Sequence, residues 1–405
     1  MILPIDWFAP TGNLFRELGA KPAVFVLFCL MPFFIMRVIY HKNIKVPSWL
    51  VMNIFLMLLL GVASFFMSYL VKDVGEGYFK PPLMQFIFQL GMFGSFYLLL
   101  LLLIDFFHRN NEDFKIVLRM FPMAAFFHFS IFLLESQGLL DDSSGWLLNF
   151  RVDGGLIERP TGLFSEPSYY GFFAAIYGAP LLLMKPFRKW YFRVLGVTLI
   201  VSAVMINAKS IFPVLFFQLL YLAITSNGSR VSFYKIFIYS GLSFAVFIYF
   251  LSQNTVSVYE NMSVAYRLGA NLLAFNAAID NYFLGVGFGQ FHYYFLYQYA
   301  PDFLLISQEV QPMFSPDSLT RASTFNVYLR YLVELGLGGV VLFILILYSA
   351  AKISWKSKSH IAQLSGFGVF GCIGFMFTQD SYFYPQLLFY LAILFGLIQM
   401  KKNGT

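Results

Sequence analysis

The strongest constraint on this chain is a succession of long apolar segments joined by short polar connections. A helix needs about 20 mostly apolar residues to cross the hydrocarbon core of a bilayer. Within that core a lone helix satisfies its own backbone, which irregular chain cannot do. Eleven segments qualify, at about 22–40, 49–71, 83–107, 115–135, 167–184, 191–207, 210–225, 233–251, 324–351, 361–378 and 383–400. Only 12% of the 405 residues are charged, and mean hydropathy is +0.71. A soluble domain carries about 25% charged residues. The expected fold is an all-α polytopic membrane protein, one transmembrane domain over 1–405 with about eleven helices and a large, partly helical external loop.

The lysines and arginines set an orientation, because positive charge concentrates on the cytoplasmic side of short loops. One set of connections holds Arg37, Lys42 and Lys45; Arg109 and Lys115; Lys185, Arg188, Lys189 and Arg193; Arg230 and Lys235; Lys352, Lys356 and Lys358; and Lys401 with Lys402. The alternate connections are longer and carry fewer. The two sets alternate across all eleven spans, which places the C-terminus in the cytoplasm and the N-terminus outside. The net charge of +7 is thus a topology signal, and nucleic acid is not an expected partner. The N-terminal "MILPIDWFAPTGNLFRELGAKP" has no basic n-region and reads as an interfacial stub rather than a leader. Cys29 and Cys372 each lie in an apolar run, so neither a disulfide nor a zinc site is expected.

Two external segments are long, 136–166 and 252–323. The second exceeds what a connector needs. The cytoplasmic loops are too short for a nucleotide-binding domain. The run "LGVGFGQF" (284–291) lacks the βαβ context of a dinucleotide fingerprint. Neither HExxH nor a Cys/His cluster is present, so no metal and no cofactor are expected. An enzyme on the outer face would need a substrate already activated and delivered by the membrane, and a sugar on a polyprenyl pyrophosphate has that form.

Breaking a sugar–pyrophosphate bond leaves negative charge on the departing group. The planar fork of arginine pairs bidentately with phosphate, and a carboxylate or histidine could take the proton from an attacking hydroxyl. Arg159 and Glu166 flank the external stretch "RPTGLFSEPSYYG" (159–171). Proline suits the first position of a helix, so Glu166, before Pro167, reads either as a cap or as a catalytic base. Arg267 lies in "VAYRLGANLLAFNAAIDNYFLG", which has helical apolar spacing. His292 follows the glycine run and is either structural or catalytic. Arg321 opens "RASTFNVYLRYLVELG", with Arg330 and Glu334 one turn apart as a possible ion pair further in. Tyr169 and Tyr170 are candidate platforms for sugar rings, although tyrosine is also common at membrane interfaces. The glycines at 285–289 read as turn formers.

Three patches resemble the O-antigen polymerase and O-antigen ligase families of bacterial envelopes: "RPTGLFSEPSYYG"; Arg267 through Phe291, ending in "LGVGFGQF"; and "STFNVYLRYLVELGLGGVVLF" (323–343). The resemblance covers roughly residues 150–350. It implies a fold related to membrane glycosyltransferases that use lipid-linked donors. It also implies an enzyme of the bacterial inner membrane, with a periplasmic active face, that polymerises undecaprenyl-pyrophosphate-linked oligosaccharide units into a surface polysaccharide. Membrane lipids and a chain-length regulator would be its partners. The implied catalytic set is Glu166, Arg267, Arg321 and His292. Arg159, Tyr169, Tyr170, Asn326 and Arg330 would bind substrate. Ligases of this superfamily carry a histidine just before the Asn-x-Tyr-Leu segment. Here that place reads Ser323-Thr324-Phe325-Asn326, which favours a polymerase and leaves the general base open. A ligase, or a transporter of such lipids, is the alternative expectation.

Overall fold

A computed structural model describes residues 44–71, 82–110, 113–139, 167–225, 262–291, 324–379, 381, 382 and 384–402, together with parts of a helical stretch between 29 and 40. Among these residues the chain is all-helical. The helices are α1 (Ser48–Val71), α2 (Pro82–Arg109), α3 (Asp113–Ser136), α4 (Pro167–Leu183), α5 (Trp190–Met205), α6 (Ile211–Thr225), α7 (Met262–Asp280), α8 (Val327–Lys356), α9 (His360–Phe375) and α10 (Pro385–Lys402).

Nine of these coincide with expected spans to within a few residues, and α7 is the helix expected inside the long loop 252–323. Four are long and apolar enough to cross a membrane: Ser48–Ser68, Pro82–Arg109, Ile116–Ser136 and Val327–Lys356. The apolar segments Trp190–Met205, Ile211–Thr225, His360–Phe375 and Pro385–Ile398 are shorter. The expected span at 233–251 and nearly all of the loop at 136–166 lie outside the described residues.

The shorter helices differ in burial, with few residues enclosed in α5 and α6 and most of them enclosed in α9. α9 is buried along almost its whole length and touches α4, α6, α8 and α10. Its sequence "GFGVFGCIGF" places a glycine on each turn, so neighbours come close. Cys372 is buried here, and both cysteines are free. α4 lies along α5, where a β-carbon on Gly196 would stand 2.7 Å from the Gly178 carbonyl oxygen. α8 packs on α1, and α10 packs on α2.

Contacts between helix ends sort into two groups. At one end Asp105 accepts from the Lys45 backbone N–H (2.7 Å) and from Arg109 Nε (2.8 Å). There the Tyr221 and Ser354 hydroxyls also meet. At the other end α8 begins: Val327 N–H donates to the Met376 carbonyl (3.0 Å), and the Tyr169 hydroxyl donates to Gln379 Oε1 (3.3 Å). Gln290 Nε2 there donates to the Pro82 carbonyl (3.0 Å). The candidate residues that the structure describes gather at this second end.

Candidate functional site

The site is organised by a break in α8. Gly336 has φ 72° and ψ −173°, a conformation open essentially to glycine alone. Breaking a helix frees carbonyl and N–H groups that must find partners away from water. The chain after α7 supplies them. The N–H groups of Val286 and Gly287 donate to the carbonyls of Val333 and Glu334, each at 2.8 Å, and Leu337 N–H donates to the Phe283 carbonyl at 2.9 Å. Gly285, Gly287 and Gly289 all have positive φ, which winds this segment tightly enough to enter the gap. The glycine run is therefore a wedge in a helix, in keeping with its reading as turn-forming.

Glu334 lies beneath the wedge and is 1% exposed. Its carboxylate accepts from Gly289 N–H (2.9 Å), the Tyr382 hydroxyl (2.6 Å) and Arg330 Nε (3.3 Å). The Arg330 guanidinium also lies 4.2 Å from the centre of the Tyr382 ring. The expected Arg330–Glu334 pair is present, and it is one edge of a larger network. The Tyr382 ring in turn contacts those of Phe93, Phe288 and Tyr331, and the Tyr331 and Tyr97 hydroxyls meet at 3.1 Å. Three donors on one carboxylate offset the cost of burying its charge.

At the mouth of α8, Asn326 caps the helix: its side-chain oxygen accepts from the N–H groups of Tyr328 (3.0 Å) and Leu329 (3.2 Å). That oxygen serves the helix, so the amide N–H groups are the part of Asn326 suited to a ligand. One residue earlier, the Phe325 ring lies 5.2 Å from the Arg267 guanidinium. Arg267 of α7 is thus brought, across about sixty residues of sequence, against the residue that precedes the Asn326 cap of α8. Arg330 stands one turn further into α8.

Tyr169 and Tyr170 separate. Tyr169 is partly buried and reaches Gln379 at the same end of the bundle. Tyr170 is completely buried, stacked on Phe132 with ring centroids 4.5 Å apart, and its hydroxyl is 2.7 Å from Ser202 Oγ. It is a core residue with no face for a sugar, which corrects the expectation drawn from the motif. Pro167 opens α4 as its sequence required. Arg159, Glu166, His292 and Arg321 lie outside the described residues.

Phe325, Tyr382 and Gln379 were not evident from the sequence. Each acts through a partner far along the chain, and none falls on a charge or periodicity signal. Among the described residues, no three His, Cys, Asp or Glu side chains gather as a metal site. Compared with protein families, curated proteins and solved structures, the chain matches none of them.

Proposed function

We propose that this protein is a polysaccharide polymerase that joins oligosaccharide units carried on undecaprenyl pyrophosphate, at the outer leaflet of the bacterial inner membrane. The observation that carries this reading is the contact of Arg267 with the Phe325 ring, just before the Asn326 cap at the mouth of α8. Two of the three resembling patches also lock together, through the wedge of 283–289 in α8. The third patch reaches the same end through Tyr169 and Gln379.

In this reading a hydroxyl of the incoming unit attacks the anomeric carbon of the growing chain. A new glycosidic C–O bond forms as the bond to the pyrophosphate oxygen breaks. Undecaprenyl pyrophosphate leaves with the bonding electrons, and Arg267 with Arg321 meets its negative charge. Charge-assisted hydrogen bonds contribute about 1.5–3 kcal/mol each, enough for two arginines to change the rate by several orders of magnitude. Glu166 and His292 are the candidates to take the hydroxyl proton, and Arg159 and Arg330 the candidates to hold substrate. No step needs a metal or cofactor. A chain-length regulator would act beside the enzyme, the C-terminus would lie in the cytoplasm, and the product would be an O-antigen or a related polymer.

The sequence Ser323-Thr324-Phe325-Asn326, without histidine, favours a polymerase over a ligase. Supplying purified protein with only the lipid-linked unit separates the two. A polymerase builds a ladder of products, whereas a ligase or a transporter leaves the unit unextended.

A further inference from the structure

Phe325 has φ 49°, in the left-handed region that bulky side chains seldom enter. Such a residue persists where its surroundings over-determine it, and these residues cluster at functional sites. The surroundings here are explicit. Thr324 is fully buried; its hydroxyl donates to the Asn326 carbonyl (2.9 Å) and stands 3.3 Å from the Asn326 N–H. Asn326 is bound to the first turn of α8, and Val327 to the end of α9. The backbone after Phe325 is thus pinned, and its ring is presented to Arg267 at 5.2 Å.

We infer that Phe325 is a positioning residue for Arg267, a role that rests on Arg267 binding the pyrophosphate of the donor. A ring face attracts a guanidinium without neutralising it. A carboxylate in the same place would hold the arginine equally well but would compete with an anionic substrate. Phe325 fixes one face of the cation and leaves its N–H edge for phosphate oxygens. Fixing the side chain in advance removes part of the ordering cost of binding. The unusual backbone angle serves this aim, since an ordinary helical or extended residue would direct its ring elsewhere.

The test uses the full chain in lipid nanodiscs, with farnesyl pyrophosphate as a sugar-free probe. Phe325→Leu keeps an apolar side chain and loses the quadrupole; Phe325→Trp keeps the aromatic face; Phe325→Gly removes the ring and suits the backbone angle. The expected results are probe binding weakened about three- to thirty-fold in Phe325→Leu and nearly unchanged in Phe325→Trp. Phe325→Gly should weaken binding even though glycine suits the backbone angle. In an Arg267→Ala background, Phe325→Leu should have no further effect. The inference is overturned if wild type does not bind the probe, if Phe325→Leu or Phe325→Gly binds like wild type, or if Phe325→Leu acts equally with Arg267 absent. Binding that follows the expected order, in a protein that never extends a lipid-linked oligosaccharide, supports the role of Phe325 and removes the polymerase reading.

Discussion

Gly285 and Gly336 stand back to back, with no space between them for a β-carbon. One built on Gly285 would lie 2.6 Å from the Gly336 nitrogen, and one on Gly336 would lie 2.4 Å from the Phe283 oxygen. This pair lets the backbone after α7 enter the break in α8. It thereby joins the helix that carries Arg267 to the helix that carries Arg330 and Glu334.

Alanine at either glycine should therefore be severely destabilising, since it meets backbone atoms and adopts an angle closed to it. The expected loss is more than about 3 kcal/mol, read as a lower thermal midpoint in detergent or nanodiscs. Gly91→Ala in α2 is the control. A β-carbon there meets nothing within 4 Å, and the helix should gain about 0.5–1 kcal/mol.

Glu334→Ala leaves Gly289 N–H, the Tyr382 hydroxyl and Arg330 without their shared acceptor. Removing one partner of a buried ion pair costs about 3–5 kcal/mol. Tyr382→Phe removes a single donor and should cost about 1–3 kcal/mol, because the charged carboxylate keeps two others. Denaturation midpoints of the two variants check the order, Glu334→Ala below Tyr382→Phe below wild type.

The apolar helices were legible because their residues write directly into composition, and Pro167 marked the start of α4. The break at Gly336 was not. Apart from Glu334, only apolar residues and three glycines run through "LVELGLGGVVLF", and a glycine within a helical pattern does not announce a break. The partners that make the break tolerable are backbone groups of 283–287, and backbone pairing over such separation leaves no periodicity. Glu334 shows the same division. Arg330, four residues away, was readable from helix geometry, whereas Gly289 and Tyr382 were not. Tyr170 was misread because two adjacent tyrosines in a motif look alike in sequence, and helix geometry turns one of them into the core.

Tyr170→Phe should cost about 1 kcal/mol of stability through the lost hydrogen bond to Ser202. The turnover of the folded fraction should match wild type. Tyr169→Phe sits at the mouth and should instead raise the KM for the lipid-linked unit. Steady-state rates normalised to folded protein separate these outcomes. A changed KM in Tyr170→Phe would return that ring to the site.

Arg267→Ala should abolish chain growth without loss of fold, since Arg267 is only partly buried and its described contact is one ring face. Arg321→Ala should do the same if both arginines meet the leaving pyrophosphate. Lysine at 267 should recover little, because it lacks the planar fork. Polymer length in cells carrying each variant, compared with membrane protein level, provides the check.

The central claim is tested most directly by mass spectrometry of the products formed when purified protein is given one synthetic undecaprenyl-pyrophosphate-linked oligosaccharide and nothing else. Wild type should give a ladder spaced by one repeat unit, and Arg267→Ala, with an unchanged thermal midpoint, should give only the starting material. A folded wild-type protein that leaves the unit unextended, or an Arg267→Ala ladder equal to that of wild type, would contradict the account.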